Sequence, residues 1–202
     1  MIIGLTGGIA SGKSTAAKFL GSKGASVIDC DVLGHRAYEP HTQAFREVVE
    51  TFDDEVVGAD GTIDRKVLGG KVFGNPEALN QLTSILWPEI RRMAEAEIIR
   101  LRDTNPDTHV VLEAAVLFEA GWEDAVDEIW VAVVDVETAV SRAMERDGAD
   151  EAAIRKRIDS QLSNDERRRH ADIVIDNNRD EAALRIRLEA EWHRVITNKA
   201  GV

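Results

Sequence analysis

The chain has 202 residues, 44% of them hydrophobic and 5% aromatic, enough for a full α/β core with one additional lobe. Its 37 acidic against 25 basic residues leave a formal charge of -12, which excludes nucleic acid or an anionic bilayer as partner of the bulk surface and requires local basic groups for any anionic ligand. A single cysteine, Cys30, precludes an intramolecular disulfide, and the apolar runs fall short of the roughly 18 residues of a membrane span; with no secretory pattern at the N-terminus, a cytoplasmic location is expected, without nucleic-acid, membrane or protein partners.

Ile2 to Thr6 is a short, almost continuously apolar run of strand size, and Ser26 to Asp29, His109 to Glu113, Glu128 to Val134 and Asp172 to Ile175 follow the same pattern. Such runs fit parallel strands covered on both faces, and the helical stretches between them supply the crossovers that parallel pairing demands. The fold class expected is α/β, with a five-stranded parallel doubly wound sheet.

Directly after the first run, Gly7-Gly8-Ile9-Ala10-Ser11-Gly12-Lys13-Ser14-Thr15 fits G-x-x-x-x-G-K-[ST] in the strand-to-helix setting the motif needs. Glycines let successive backbone N–H groups turn inward as an anion nest, and the helix opening at Lys13 aims its positive end at the same phosphates. ATP contacts are expected from Gly8, Ala10, Ser11, Gly12, Lys13, Ser14 and Thr15, with Lys13 bridging the β- and γ-phosphates and the Ser14 hydroxyl on Mg²⁺.

The second run ends in Val27-Ile28-Asp29-Cys30-Asp31. Strand alternation places Asp29 and Asp31 on one side, with Asp31 further out, where a carboxylate orients an attacking alcohol and accepts its proton. The alternative makes Asp31 the cap of a helix opening near Val32, a role for which aspartate is well suited. His35 lies one helical turn beyond, in reach of a phosphate or acceptor or as a surface histidine. From 34 to 106 the chain is rich in helix formers, with turn signals at Asp60-Gly61, Gly69-Gly70 and Asn75-Pro76. Roughly 75 residues exceed a simple crossover and predict an inserted helical substrate lobe over the carboxyl edge of the sheet, leaving 1–33 and 107–202 as the nucleotide-binding core.

Glu113 closes the third run as the acid of a Walker B strand does, and Glu119 follows Leu117-Phe118; either serves the metal, unless the strand-end carboxylate is simply solvated. Between 140 and 164, a helix, a break at Asp147-Gly148-Ala149-Asp150 and a second helix predict a lid. Arg142 and Arg146 share one helical face and supply guanidinium groups to a transferring phosphoryl group, or pair with Glu145 or Asp147. Leu184, Leu188, Trp192, Val195 and Ile196 form a core-facing helical stripe.

Taken in order, Ile3 to Thr15, Val27 to Asp31, Asp60-Gly61 with Arg65, Phe73, Leu117 to Glu119, Arg142 to Asp147, Gln161 and Ala171 to Asn177 resemble the pattern of the dephospho-CoA kinase family over nearly the whole chain. The resemblance implies a P-loop kinase fold and phosphorylation of the ribose 3′-hydroxyl of dephospho-CoA by ATP with Mg²⁺, the last step of coenzyme A biosynthesis. It implies Asp31 as catalytic base with Lys13 and Arg142, places Arg146 and Asn177 at ATP, and assigns His35, Arg65, Phe73 and Glu119 with Asp31 to dephospho-CoA. The 34–106 lobe is then CoA-binding. Trp87-Pro88 and Ala115-Val116-Leu117 stand where many bacterial members carry His-Pro and a proline before a Leu-Leu pair. With Gly34 to Tyr38 and Glu119 to Trp122, they look more like the kinase half of animal bifunctional CoA synthase; with no adenylyltransferase half here, a single activity is expected. A kinase for another nucleotide or small alcohol is the neighbouring reading, separated only by the insert. A GTP-binding switch fits less well, because Asp31-Val32-Leu33-Gly34 follows the P-loop too soon and Asn177-Asn178-Arg179-Asp180 lacks the lysine of N-K-x-D.

Overall fold

The computed structural model describes residues 1–198. Strands β1 (Ile2–Gly7), β2 (Ser26–Asp29), β3 (Val110–Glu113), β4 (Glu128–Val133) and β5 (Ile173–Asp176) form one sheet in the order β2-β3-β1-β4-β5. Register is parallel, with Leu5 opposite Glu113 on one side of β1, Gly7 opposite Ala132 on the other, and Val133 opposite Asp176 between β4 and β5. β1 is central and buried along its whole length, which is why its run carries no polar alternation. Its carboxyl end lies where the chain first builds outward to β3 and β2 and later to β4 and β5, the position at which open α/β sheets receive ligands.

Helices α1 (Lys13–Ser22) and α9 (Glu181–Asn198) close a core of Ile3, Leu5, Ala16, Leu20, Trp130, Ile175, Leu184, Leu188, Trp192 and Val195. Ile196, expected in that stripe, is instead 44% exposed, because each helical step rotates the side chain by about 100° and Val195 already faces inward. Asp127 and Asp172 extend the ladder at its start: their carboxylates accept the N–H groups of Ile2 at 2.6 Å and Ile129 at 2.7 Å. Asp172 therefore stands just before β5 rather than within it.

The chain divides into two compact units, 1–28 with 101–202, and 29–100. The second holds α2 (Cys30–Ala37), α3 (Gln43–Phe52), a 3-10 turn at Asp54–Val56, α4 (Arg65–Val72) and most of α5 (Pro76–Thr104), and α3, the turn, α4 and the start of α5 enclose Val48, Phe52, Val56, Ile63, Leu68, Val72 and Ala78. The local signals are strong: Thr42 and Asp64 cap α3 and α4, and Pro76 opens α5 at the position where a missing N–H costs nothing. At Asp60-Gly61 the chain turns between the bridge partners Val57 and Ile63, with Asp60 Oδ1 accepting from the backbone and hydroxyl of Thr62 and Gly61 at φ +79°.

The junction of β2 and α2 corrects one expectation. Asp29, not Asp31, caps the helix: its Oδ1 accepts from the N–H groups of Asp31 at 2.8 Å and Val32 at 3.2 Å. Asp31 lies in the first helical turn, so strand alternation does not govern it. The reason is that Asp29 still has extended backbone and is the first side chain able to reach two orphan amides of the opening helix.

In the first unit, α6 (Val136–Asp147), α7 (Glu151–Asp159) and α8 (Asn164–His170) follow β4. Gly148 ends α6 in the left-handed conformation, Asp150 caps α7, and Ser163 with Glu166 forms a capping box on α8. Val140, Ala143 and Ile154 pack α6 and α7 together, with Ile9 and Ala10 of the P-loop against them. No described helix is long and apolar enough to cross a membrane.

Candidate active site

The loop from β1 to α1 has little steric freedom. A Cβ on Gly7 would stand 2.5 Å from the Ala132 carbonyl oxygen and 2.5 Å from Ser11 Oγ, so the strand turns only on glycine. Ala10 at φ +55° and Gly12 at φ +91° adopt left-handed backbone, the alternation that points successive amides into one concavity. Gly12 caps α1 without a side-chain hydrogen bond, which leaves the first-turn N–H groups to an anion. Asn177, directly after β5, braces this loop. Its Nδ2 donates to the Ser11 carbonyl at 2.9 Å in a buried setting, and a Cβ on Gly12 would meet that nitrogen at 2.2 Å.

Lys13 Nζ lies 2.9 Å from Glu113 Oε1, and the Ser14 hydroxyl donates to the same oxygen at 2.7 Å. The sheet register creates this convergence, because Glu113 pairs with Leu5 on β1 while Lys13 and Ser14 open the helix that β1 feeds. Glu113 is 5% exposed, so the solvated strand-end alternative does not hold. A cation, a hydroxyl and a buried carboxylate thus meet beside the loop's inward-facing amides. Ser14 and Thr15 are both exposed residues of α1.

Arg142 on α6 donates from Nη2 to the Arg179 carbonyl at 3.1 Å, tying the helix to the loop after β5. Arg146 takes the pairing alternative: Nε and Nη2 engage Asp147 at 2.7 and 2.9 Å, and this contact holds the Asp147 carboxyl below the usual range. Arg155 joins α7 to α6 through Glu137, with Glu151 also in reach.

Two residues at the loop had no role assigned from sequence. Gln161 Oε1 accepts the Ile9 N–H at 3.2 Å, and Arg167 is buried on α8 with Glu119 Oε1 at 3.8 Å from its Nη2. The only sequence signal for Arg167 is the capping box Ser163-x-x-Glu166, which fixes the helix phase and turns that position inward.

In the second unit, Asp31 and His35 are exposed on α2, one turn apart. Arg65 is the first residue of α4 and is exposed, while Phe73 ends that helix with 82% of its surface in solvent.

The sequence profile described as dephospho-CoA kinase matches residues 1–182. Dephospho-CoA kinase of Geobacter sulfurreducens is 44% identical over 191 residues, covering 95% of this chain and 96% of that protein. The dephospho-CoA kinase of Symbiobacterium thermophilum is 39% identical over 200 residues, 99% of this chain and 83% of the relative. Among solved structures, TT1252 from Thermus thermophilus is 34% identical, with a TM-score of 0.82 over 96% of this chain and 97% of that one. Dephospho-CoA kinase from Campylobacter jejuni is 26% identical, with a TM-score of 0.73 and 98% of each chain covered. Shikimate kinase from Bacteroides thetaiotaomicron shares the fold, at 12% identity and a TM-score of 0.51 over 96% of this chain and 98% of that one. A nucleotide loop built on β1, a buried acid on β3 and relatives matching from end to end lead to one assignment: the chain belongs to the dephospho-CoA kinase family.

Proposed function

We propose that the chain transfers the γ-phosphate of ATP to the ribose 3′-hydroxyl of dephospho-CoA, giving coenzyme A and ADP in the cytoplasm, as the last step of coenzyme A biosynthesis. The observation carrying this reading is the convergence of Lys13 and Ser14 on Glu113 Oε1 beside the P-loop, in a member of this family. In the reaction the 3′-oxygen bonds to the γ-phosphorus, the bond from that phosphorus to the β,γ-bridging oxygen breaks, and the hydroxyl proton passes to Asp31. The amides of Gly8, Ala10, Ser11, Gly12, Lys13, Ser14 and Thr15 receive the phosphates, and the Lys13 ammonium leaves Glu113 to neutralise the developing charge. Arg142 adds positive charge from α6, and Arg146 does so once it exchanges Asp147 for a phosphate oxygen. Asn177 acts on ATP by holding the Ser11 carbonyl and hence the loop.

Dephospho-CoA is held by the 34–106 segment, with Asp31, His35, Arg65, Phe73 and Glu119 as its contacts. Phe73 supports this assignment, since an aromatic ring 82% exposed suits an apolar contact to a ligand. The segment from 140 to 164 serves as the lid. Magnesium fits the oxygen donors present, the Ser14 hydroxyl and the Glu113 carboxylate, and no cluster of three or more His, Cys, Asp or Glu among the described residues forms an all-protein cage. The bound ion would supply charge neutralisation on the phosphate oxygens.

The test is ADP release with Mg·ATP and dephospho-CoA, adenosine, AMP or shikimate in turn. Turnover is expected with dephospho-CoA alone, falling about 10²–10⁴-fold in Asp31→Asn as the proton acceptor is lost. Equal turnover with another acceptor would overturn the substrate assignment, and an unchanged rate in Asp31→Asn would remove that residue as base.

A further inference from the structure

α8 carries three consecutive arginines, and only one of them turns inward: Arg167 is 3% exposed, whereas Arg168 and Arg169 lie at the surface. A guanidinium has five N–H donors and stays charged, so burying it demands acceptors. The acceptors around Arg167 are few. Nη1 donates to the Leu162 carbonyl, Glu119 comes no nearer to Nη2 than 3.8 Å, and Nε and Nη2 make no hydrogen bond among the described residues. Burial pushes the guanidinium pKa down, with Glu119 and Glu166 opposing the shift.

The same side chain lines a cavity of about 390 Å³ together with Gly8, Ile9, Ser11 and Gln161. Its Nη1 stands 3.2 Å from where a Gly8 Cβ would lie, so the charge sits directly on the strand end of the phosphate loop. At that turn the Ile9 N–H is a second donor, received by Gln161 Oε1 at 3.2 Å. The helix end of such a loop cradles the inner phosphates, which leaves the Gly8–Ile9 turn for the outermost one.

Resting on the ATP-binding reading above, we infer that Arg167 is a further catalytic residue: its Nε and Nη2 donate to the terminal phosphoryl group of ATP at the Gly8–Ile9 turn. Its charge matters most as the β,γ-bridge breaks and negative charge redistributes between the departing ADP and the transferring group. It also gives the site a means of distinguishing ATP from ADP, because ADP has no group at that position.

The experiment uses the full chain and compares Arg167→Gln and Arg167→Lys with the parent. Affinities for ADP and for a non-transferable ATP analogue are measured by calorimetry, and kcat and KM with dephospho-CoA by ADP release. In Arg167→Gln the analogue should bind about 10- to 100-fold more weakly, the loss expected for hydrogen bonds to a charged group, while ADP binding stays within about 3-fold. kcat should fall by at least the analogue's factor, and Arg167→Lys should recover part of both. Equal weakening of both nucleotides would make Arg167 a structural support, and unchanged nucleotide binding would overturn the inference outright. Should Arg167→Gln fail to fold, the Nε–H resonance of Arg167 in the parent protein decides. It should shift with the ATP analogue and not with ADP, and the same response to both would refute the assignment. The nucleotide comparison needs no acceptor, so failure of the dephospho-CoA reading would appear separately, as absent turnover with intact ATP selectivity.

Discussion

Replacing Gly12 by alanine tests how the phosphate loop is held. Gly12 has φ +91°, a conformation that costs an L-residue about 1–2 kcal/mol. The new Cβ would stand 2.2 Å from Asn177 Nδ2, too close for both to remain, so the buried bond from Asn177 to the Ser11 carbonyl is lost, at about 1–3 kcal/mol. Gly12→Ala should therefore destabilise the protein by about 2–5 kcal/mol, or about 2–4 °C in Tm for each kcal/mol in a chain of this size. Asn177→Ala forfeits the same hydrogen bond but introduces no backbone strain. The double variant loses that bond only once, so its destabilisation should fall short of the sum of the single effects by about 1–3 kcal/mol. Urea unfolding of the four proteins measures the cycle, and the KM for ATP should rise in all three variants. Strict additivity, or an Asn177→Ala protein with parental stability and KM, would refute the bracing role of Asn177.

Further expectations concern the buried acid, the α8 cap and the lid. Glu113→Ala leaves the Lys13 ammonium without its buried counter-charge and should cost about 3–5 kcal/mol with loss of ADP release; unchanged stability would mean that Lys13 finds equal solvation elsewhere. The Ser163 hydroxyl and backbone N–H hold the Glu166 carboxyl below its usual range, so the stability linked to this group is complete above pH 4.5 and is lost as pH falls through the lowered folded pKa. Ser163→Ala should move the Glu166 carboxyl upward in a carbon-detected NMR titration, and an unmoved titration would show that the hydroxyl is not the cause. Hydrogen exchange across 140–164 should slow when ATP analogue and dephospho-CoA are both bound, and identical exchange with and without them would argue against a closing lid.

Legibility varied with the sequence distance over which each feature is determined. The P-loop was readable because a contiguous motif both imposes the backbone turn and carries its own ligand chemistry, and Glu113 because strand position alone put it at the carboxyl edge. Asp29 and Asp31 were harder: two aspartates two residues apart can each cap a helix, and only the backbone geometry at the end of β2 selects Asp29. Arg146 shows the same limit, since a neighbouring Asp147 and a phosphate are both suitable partners for one guanidinium.

From the order of its residues alone, the chain declares a parallel α/β sheet, a nucleotide loop, a helical insert and a family pattern, all of which depend on local periodicity or short motifs. Tertiary structure decided what supports that loop. Gln161, Arg167 and Asn177 lie more than 150 residues along the chain from Gly8, Ile9 and Ser11, and no local rule indicates which of three adjacent arginines, or which of two adjacent asparagines, will turn inward. That choice follows from the packing of α8 and β5 against the rest of the core. A buried polar group must find its partner wherever the fold has brought one, however far away it lies in sequence.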